Sequence, residues 1–372
     1  MSPKIAVELG VREYDSFCTP CSPATLLDSG DRIAILAGES RLVVPAAHYY
    51  ESVPTKRRGE TSFTVPQMYV VKLDGMIVCD KGVIVTADGH DVITDSFRTY
   101  NYGNGALIDR GERRYIAQVK TSPKEFLPGT WLYMDGAKAH HYGHYLVETF
   151  SRLWALPNLP PDLGVLVSRR QWRPFMQTYL LAAGFPPERI RIADLPIKCE
   201  HLVIARQSAT LRSYASPISK HLWQSIGAAL EAQFAVTVGH RRLYVSRRGA
   251  PGRTMENEVE VVEFMKRRDF TIFQPELHPV AEQIAVYRGA DLIVTAVGSN
   301  TFNAWFSERQ PRKLLMSAGF FPPIDGLMGT VVGGDISYVC GQSVEPETHP
   351  ITARWHMDLG VLSGALDEWL LQ

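Results

Sequence analysis

Residues 138–154 read KAHHYGHYLVETFSRLW. His140, His141 and His144 fall within five residues, and Glu148 follows His144 by four. On a continuous helix His140, His144 and Glu148 would share one face. Three chemistries suit that set. Two histidines and a glutamate can ligate zinc. His144 or Glu148 can act as a general base toward a substrate hydroxyl. A histidine and a glutamate can also bond each other and the backbone in a buried polar cluster. Gly136 and Gly143 interrupt the pattern, so the helix is expected to begin near Tyr142, with His140 and His141 in the loop ahead of it.

A second group lies at residues 241–258, RRLYVSRRGAPGRTMENE. A strand is expected to end at Ser246, and Arg247, Arg248 and Arg253 project from the loop that follows. Ligands of open parallel sheets bind outside the carboxyl ends of the strands. The planar fork of arginine matches phosphate with two charge-assisted bonds. The alternative is a solvated basic loop. A third group, TAVGSNTFNAWF at 295–306, turns at Gly298 into a helix that starts with Ser299, Asn300 and Thr301. A helix start attracts anions, although these residues are also ordinary caps. The glycine spacing is neither GxGxxG nor a Walker A loop, which argues against a nicotinamide dehydrogenase.

The elements that must carry these groups follow from periodicity. Residues 1–130 read as strand-rich, with a hairpin at 82–95 turning at Asp88-Gly89. From 131 the pattern alternates: strands at 131–135, 164–168 and 201–205, and helices at 141–156, from 169 to about 183, and at 217–236. Beyond 237 it is more regular, with strands at 241–247, 270–274, 291–296 and 312–317. Helices are expected at 257–269, 279–290 and 300–307, and a terminal amphipathic helix within 352–372. Alternation of this kind implies right-handed crossovers and a parallel sheet. The division expected is 1–236 (strand-rich 1–130, α/β 131–236) and a Rossmann-like 237–372, with the terminal helix packing back on the N-terminal part.

The chain has 372 residues, 45% hydrophobic and 21% charged, with zero formal net charge. Zero charge implies no general polyanion-binding surface, so no nucleic-acid partner is expected. No apolar run is long enough to span a membrane. The first residues lack a signal-peptide core, and there is no Asn-x-Ser/Thr sequon. Five cysteines are an odd count. Cys18 and Cys21 form a lone Cys-x-x-Cys in a Ser/Pro-rich loop without a second pair, which reads as chance spacing. The expected location is cytoplasmic, including the inner face of a membrane.

Taken together, TADGHDVITDS, YGHYLVETFSRLW, YVSRRGAPGRTMENE and FTIFQPELHPVAEQIAVYRGADLIV resemble glycosyltransferase family 61 over roughly residues 80–320. In that resemblance His144 and Glu148 hold the positions of the hallmark helix. Arg247 or Arg248, then Arg253, Asn257 and Glu258, hold those of the arginine stretch, and Glu282 and Gln283 those of a central Glu-Gln. One turn departs from the family. Where a His-Gly-Ala type of turn is usual, this chain has Val297-Gly298-Ser299, with Asn303 at the asparagine place.

The resemblance implies an α/β, GT-B-like architecture: two Rossmann-like domains facing across a cleft, with a strand-rich N-terminal part. It implies an inverting, metal-independent transfer of a hexosyl or pentosyl group from a nucleotide-diphosphate sugar to a glycan hydroxyl, in polysaccharide or capsule synthesis. No cofactor is implied, and a UDP-sugar is the first expectation for the donor. His144 and Glu148 become the base and its support, and His140 and His141 acceptor-side residues. Arg247, Arg248, Arg253, Asn257, Glu282, Gln283, Gly298, Ser299, Asn300, Thr301 and Asn303 become donor contacts. The partners implied are the donor and the glycan acceptor, with peripheral membrane or assembly-complex association. Three rivals stand beside this reading: a binding homologue without transfer, another polysaccharide-modifying transferase, and a metal-dependent hydrolase.

Overall fold

The computed structural model describes residues 7–12, 33–50, 59–93, 107–112, 114–233, 241–249 and 252–372. Cys18, Cys21 and the end of the expected hairpin lie outside these residues. By its contacts the chain divides into two compact units. The first is Met1–Ser40 with Pro66–Ala209, and the second is Arg41–Val65 with Thr210–Gln372.

The first unit is built on a mixed sheet. Its strands include β1 (Met68–Asp74), β2 (Glu125–Tyr133), β3 (Gly164–Ser168), β4 (Ile190–Ala193) and β5 (Ile197–Ala205). The spatial order β5-β2-β3-β4 is parallel throughout, and β1 pairs antiparallel on β5. Of these, β3 (GVLVS) is buried along its whole length and β5 at its C-terminal end, and both are rich in Val, Leu and Ile, as strands covered on both faces must be. The strand expected at 131–135 starts earlier, at Glu125. Pro128-Gly129 reads as a break, and the register does shift there, but Glu125, Phe126 and Leu127 still pair with Ile197, Lys198 and Cys199. Helix α1 (Pro174–Ala182) links β3 to β4. The expected hairpin is present as Ile84–Val85 against Asp91–Ile93. Its turn is held by Asp88, whose Oδ1 accepts from the Thr86 hydroxyl at 2.5 Å and from His90 N–H at 3.0 Å.

The second unit is a doubly wound parallel sheet. Its strands are β6 (Arg242–Val245), β7 (Thr271–Phe273), β8 (Leu292–Ala296), β9 (Arg312–Ser317) and β10 (Ile336–Cys340). The spatial order is β7-β6-β8-β9-β10, all parallel. The strand His48–Tyr50 adds a sixth, parallel to β10. Five of these six strands come from consecutive sequence. The sixth comes from 289 residues upstream of its partner, Tyr49 pairing with Tyr338, and no local pattern announces it.

Helices α2 (Lys220–Glu231), α3 (Glu258–Lys266), α4 (Val280–Gly289), α5 (Pro323–Val332) and α6 (Leu359–Leu371) accompany this sheet. Sequence reading groups α2 with the N-terminal part, whereas the structure packs it on the second unit. Trp223 meets Trp305 and Phe306 edge-on at 5.4 and 5.2 Å. The terminal helix α6 is likewise absorbed by its own unit. Leu362, Ala365, Leu366 and Trp369 join one core with Tyr244, Val294 and Leu314. Asp358 caps it by accepting from Gly360 and Val361 N–H. The helix expected at 300–307 is a 3-10 helix, Ser299–Phe306. Its tighter turn eclipses residues three apart, and Phe302 stacks on Trp305 at 4.2 Å.

Gly227 marks the closest approach of α2 to that 3-10 helix. A Cβ there would lie 2.3 Å from the Phe306 carbonyl oxygen. Gly227→Ala is therefore expected to destabilise the protein by about 1–3 kcal/mol, against the usual gain of alanine in a helix. A urea melt showing equal or higher stability would contradict this packing.

Candidate active site

In the first unit the chain leaves β2 at Tyr133 and runs through Asp135 and Gly136 to the histidines. Tyr142 opens a helical stretch, with His141 in extended conformation just before it. His140 and His141 thus sit in the preceding loop, as the glycines suggested. The backbone amide and Nδ1 of His140 both reach Gln171 Oε1, at 3.1 and 2.6 Å. An oxygen that accepts from both requires the proton on Nδ1. The rings of His140 and His141 lie 4.1 Å apart, and those of His141 and His144 5.9 Å.

His144 and Glu148 are joined directly: Nδ1 lies 3.1 Å from Oε2. Their side chains are 24% and 8% exposed, so the carboxylate is the sheltered partner. A carboxylate at Nδ1 holds the proton there and puts the basic lone pair on Nε2. The turn that carries Glu148 is a π-turn, Tyr145–Thr149, between a single α-turn and a 3-10 stretch. Such widened turns re-aim side chains and recur at functional sites. Among the described residues no group of three or more His, Cys, Asp or Glu is placed to hold a metal ion.

Sequence reading missed Asp135. It is buried, and burial pushes its carboxyl up to about 7 against the Gly136 N–H bond to Oδ1 at 2.8 Å. Its Oδ2 has no hydrogen-bond partner among the described residues. Arg152 is also buried, lies 5.4 Å from the Tyr133 ring centre and donates to the Ala205 carbonyl at the end of β5. Nothing in the sequence marks Asp135 as buried, because an aspartate followed by a glycine ordinarily signals an exposed turn.

In the second unit the strand order reverses between β6 and β8. The loops leaving their carboxyl ends are the ones with the arginines and with Gly298. Arg247 Nη1 donates to Asn300 Oδ1 at 2.9 Å. Asn300 Nδ2 donates to Thr295 Oγ1 at 2.6 Å, and that hydroxyl donates to the Val245 carbonyl at 2.8 Å. The guanidinium passes over Gly298, where a Cβ would sit 1.7 Å from Nη1. The glycine is thus required by that passage; its φ of 165° is ordinary extended backbone.

Arg253 sits in left-handed backbone at φ 53°. It donates to the Ile351 carbonyl at 3.3 Å and stacks 5.1 Å from the Phe320 ring centre. Burial lowers the pKa of both guanidiniums. Arg253 comes down to about 10, helped by the positive charge of Arg247 and opposed by Asp325. The Nε atoms of both are buried and have no partner among the described residues. Arg247, Arg248, Arg253, Met255 and Glu258 help line a cavity of about 270 Å³.

The other expected donor residues are placed differently. The Asn257 side chain exchanges two hydrogen bonds with the backbone of Met357, at 2.8 and 3.0 Å. Glu282 pairs with His278 at 2.9 Å. Gln283 Nε2 donates to the Pro275 and His278 carbonyls, and its Oε1 accepts from Asn303 at 3.0 Å. The Thr301 hydroxyl lies 2.8 Å from the Gly298 carbonyl and 2.9 Å from Asp325 Oδ1. Asn257, Glu282, Gln283, Thr301 and Asn303 hold loops in place and do not line the cavity. Ser299 opens the 3-10 helix and does not line it either.

A family model described as Glycosyltransferase 61 matches residues 142–314, from the first helical turn of the His144 stretch to the middle of β9. No curated protein matches the chain.

Two outcomes follow from this geometry. Gly298→Ala should destabilise the protein by about 1–3 kcal/mol, because the new methyl must displace the Arg247 guanidinium from Asn300; a urea melt superimposable on that of wild type would contradict this passage. Asp135→Asn should stabilise the protein in a pH-dependent way. A carboxyl raised in the folded state favours folding less as pH climbs from its unfolded value near 4 through about 7. The asparagine variant should match wild type near pH 4, gain on it up to pH 7, and hold a lead of a few kcal/mol above that. A lead that is constant with pH, in thermal melts, would contradict the assignment.

Proposed function

The chain belongs to glycosyltransferase family 61 through residues 142–314, and we propose that it is an inverting enzyme drawing sugar from a nucleoside-diphosphate donor. The observation that carries the donor reading is the pair of half-buried arginines, Arg247 and Arg253, whose buried Nε–H groups have no partner among the described residues, beside one cavity. Buried like charges are costly unless a ligand neutralises them. A diphosphate leaving group gains about two negative charges as its bond to the sugar breaks, and preorganised guanidiniums meet that charge. Arg248 stands at the exposed rim of the same cavity.

On this reading His144 is the base and Glu148 its orienting partner. Nε2 takes the proton of an acceptor hydroxyl as that oxygen attacks the anomeric carbon. The bond from that carbon to the diphosphate oxygen breaks on the opposite face, and its electron pair leaves with the diphosphate. Configuration inverts because one displacement occurs. His140 and His141 line the acceptor side, and the acceptor is a glycan hydroxyl of polysaccharide or capsule type. The two units divide donor and acceptor work in GT-B fashion. The donor cations are supplied by arginine, which makes the transfer independent of added metal.

Thermal shift with UDP, GDP, CMP and dTDP, with and without magnesium, tests the donor half. A ligand at a hundred times its dissociation constant stabilises by about 2.7 kcal/mol. One nucleotide should do so, indifferent to magnesium, and Arg253→Ala should lose the effect. No shift with any nucleotide would overturn the donor reading. For the base, His144→Asn should bind the nucleotide as wild type does while sugar transfer falls by about 10²–10⁴. Retained transfer would remove His144 from that role.

A further inference from the structure

Two loops of the first unit carry positive charge that the transfer step does not use. They leave the carboxyl ends of β2 and β3, which are parallel neighbours, so they emerge side by side. The first leads to the histidines, and the second is RRQWR, residues 169–173. Buried Gln171 stitches them together, since its Oε1 takes both the amide and Nδ1 of His140. Lys138, Arg169, Arg170 and Arg173 each lie within two residues of that contact. Fixed counter-charge is scarce. Asp194 takes Arg169 at 3.2 Å, and Asp80 lies 3.9 Å from Arg170, near the limit of an ion pair. Both arginine side chains are mostly exposed, and such pairs contribute little. Arg173 makes no ion pair among the described residues. Its Nη1 donates to the Trp172 and Arg170 carbonyls at 2.7 and 3.3 Å, which fixes the guanidinium without neutralising it. Of the nearby acids, Glu148 is sheltered against His144 and Asp135 is buried.

The chain has no net charge, so this is a local concentration and not a property of the whole surface. Positive charge beside the acceptor base, with few fixed partners, draws a substrate that brings its own negative charge. A guanidinium meets a carboxylate with two parallel charge-assisted bonds. Trp172, half-buried between Arg170 and Arg173, adds a flat apolar ring with the breadth of a sugar. We propose that the acceptor is an acidic glycan, whose sugar carboxylates are held by Arg170 and Arg173 while one of its hydroxyls lies at His144. The proposal rests on the transferase reading above and adds to it the charge class of the acceptor.

Calorimetry with hexasaccharides of galacturonate, of mannuronate and of hyaluronan tests it, each beside the same chain with its carboxyl groups reduced to alcohols. At about 50 mM salt, wild type should bind at least one acidic chain about tenfold more tightly than its reduced form, and about 500 mM salt should erase most of that gap. Arg170→Gln and Arg173→Gln should each narrow the gap about threefold or more. Arg241→Gln removes the same charge from the exposed surface of the second unit and should leave the gap within about twofold. Equal binding of every acidic chain and its reduced form, or no binding of any, overturns the proposal and needs no variant to fold. The transferase reading would then still stand on the nucleotide shift. A gap that survives in both loop variants, or that Arg241→Gln narrows as much, overturns the proposal too. A protein that no nucleotide shifts loses the transferase reading, and these loops lose their role as an acceptor site with it.

Discussion

Two arginines that repel each other must be held together in partial burial, and much of the second unit is organised around that demand. Arg247 is fixed by Asn300, which is fixed by Thr295, which is bonded to the end of β6. This relay ties the carboxyl ends of β6 and β8 across the point where the strand order reverses. Gly298 clears the path. Arg253 needs different means, since it sits in a backbone conformation that costs about 1–2 kcal/mol for a residue with a side chain. The segment around 351–357 supplies them. The Ile351 carbonyl takes the guanidinium, Trp355 Nε1 donates to the Arg253 carbonyl at 2.9 Å, and Met255 bridges Trp355 in parallel register. The Asn257 amide closes the splice on Met357. Residues a hundred positions downstream therefore set the shape of the arginine loop.

This explains which parts of the site can be read from sequence. Local signals worked where the physics is local: the glycines that start the helical stretch at Tyr142, the turn at Asp88-Gly89, the alternation that gives β6 to β9. The arginines were legible as charge at a strand end. The roles of their neighbours were not. The resemblance makes Asn257, Gln283 and Asn303 donor contacts, and amides serve loops and ligands equally well. In the structure Asn257 bonds the distant Met357 backbone, and Gln283 bonds two nearby carbonyls and the Asn303 amide. The strand His48–Tyr50 and the strap at 351–357 are distant in the same way: short, irregular, and positioned by tertiary pairing that no window of sequence contains.

The first unit solves a different problem with similar means. An imidazole is held in one orientation without being fully buried. His144 keeps about a quarter of its side-chain surface, while its carboxylate partner is sheltered at 8%. The π-turn at Tyr145–Thr149 carries Glu148 through a wider turn than an α-helix would. Asp135, just beyond β2, has one backbone N–H on its Oδ1, and burial pushes its carboxyl up to about 7.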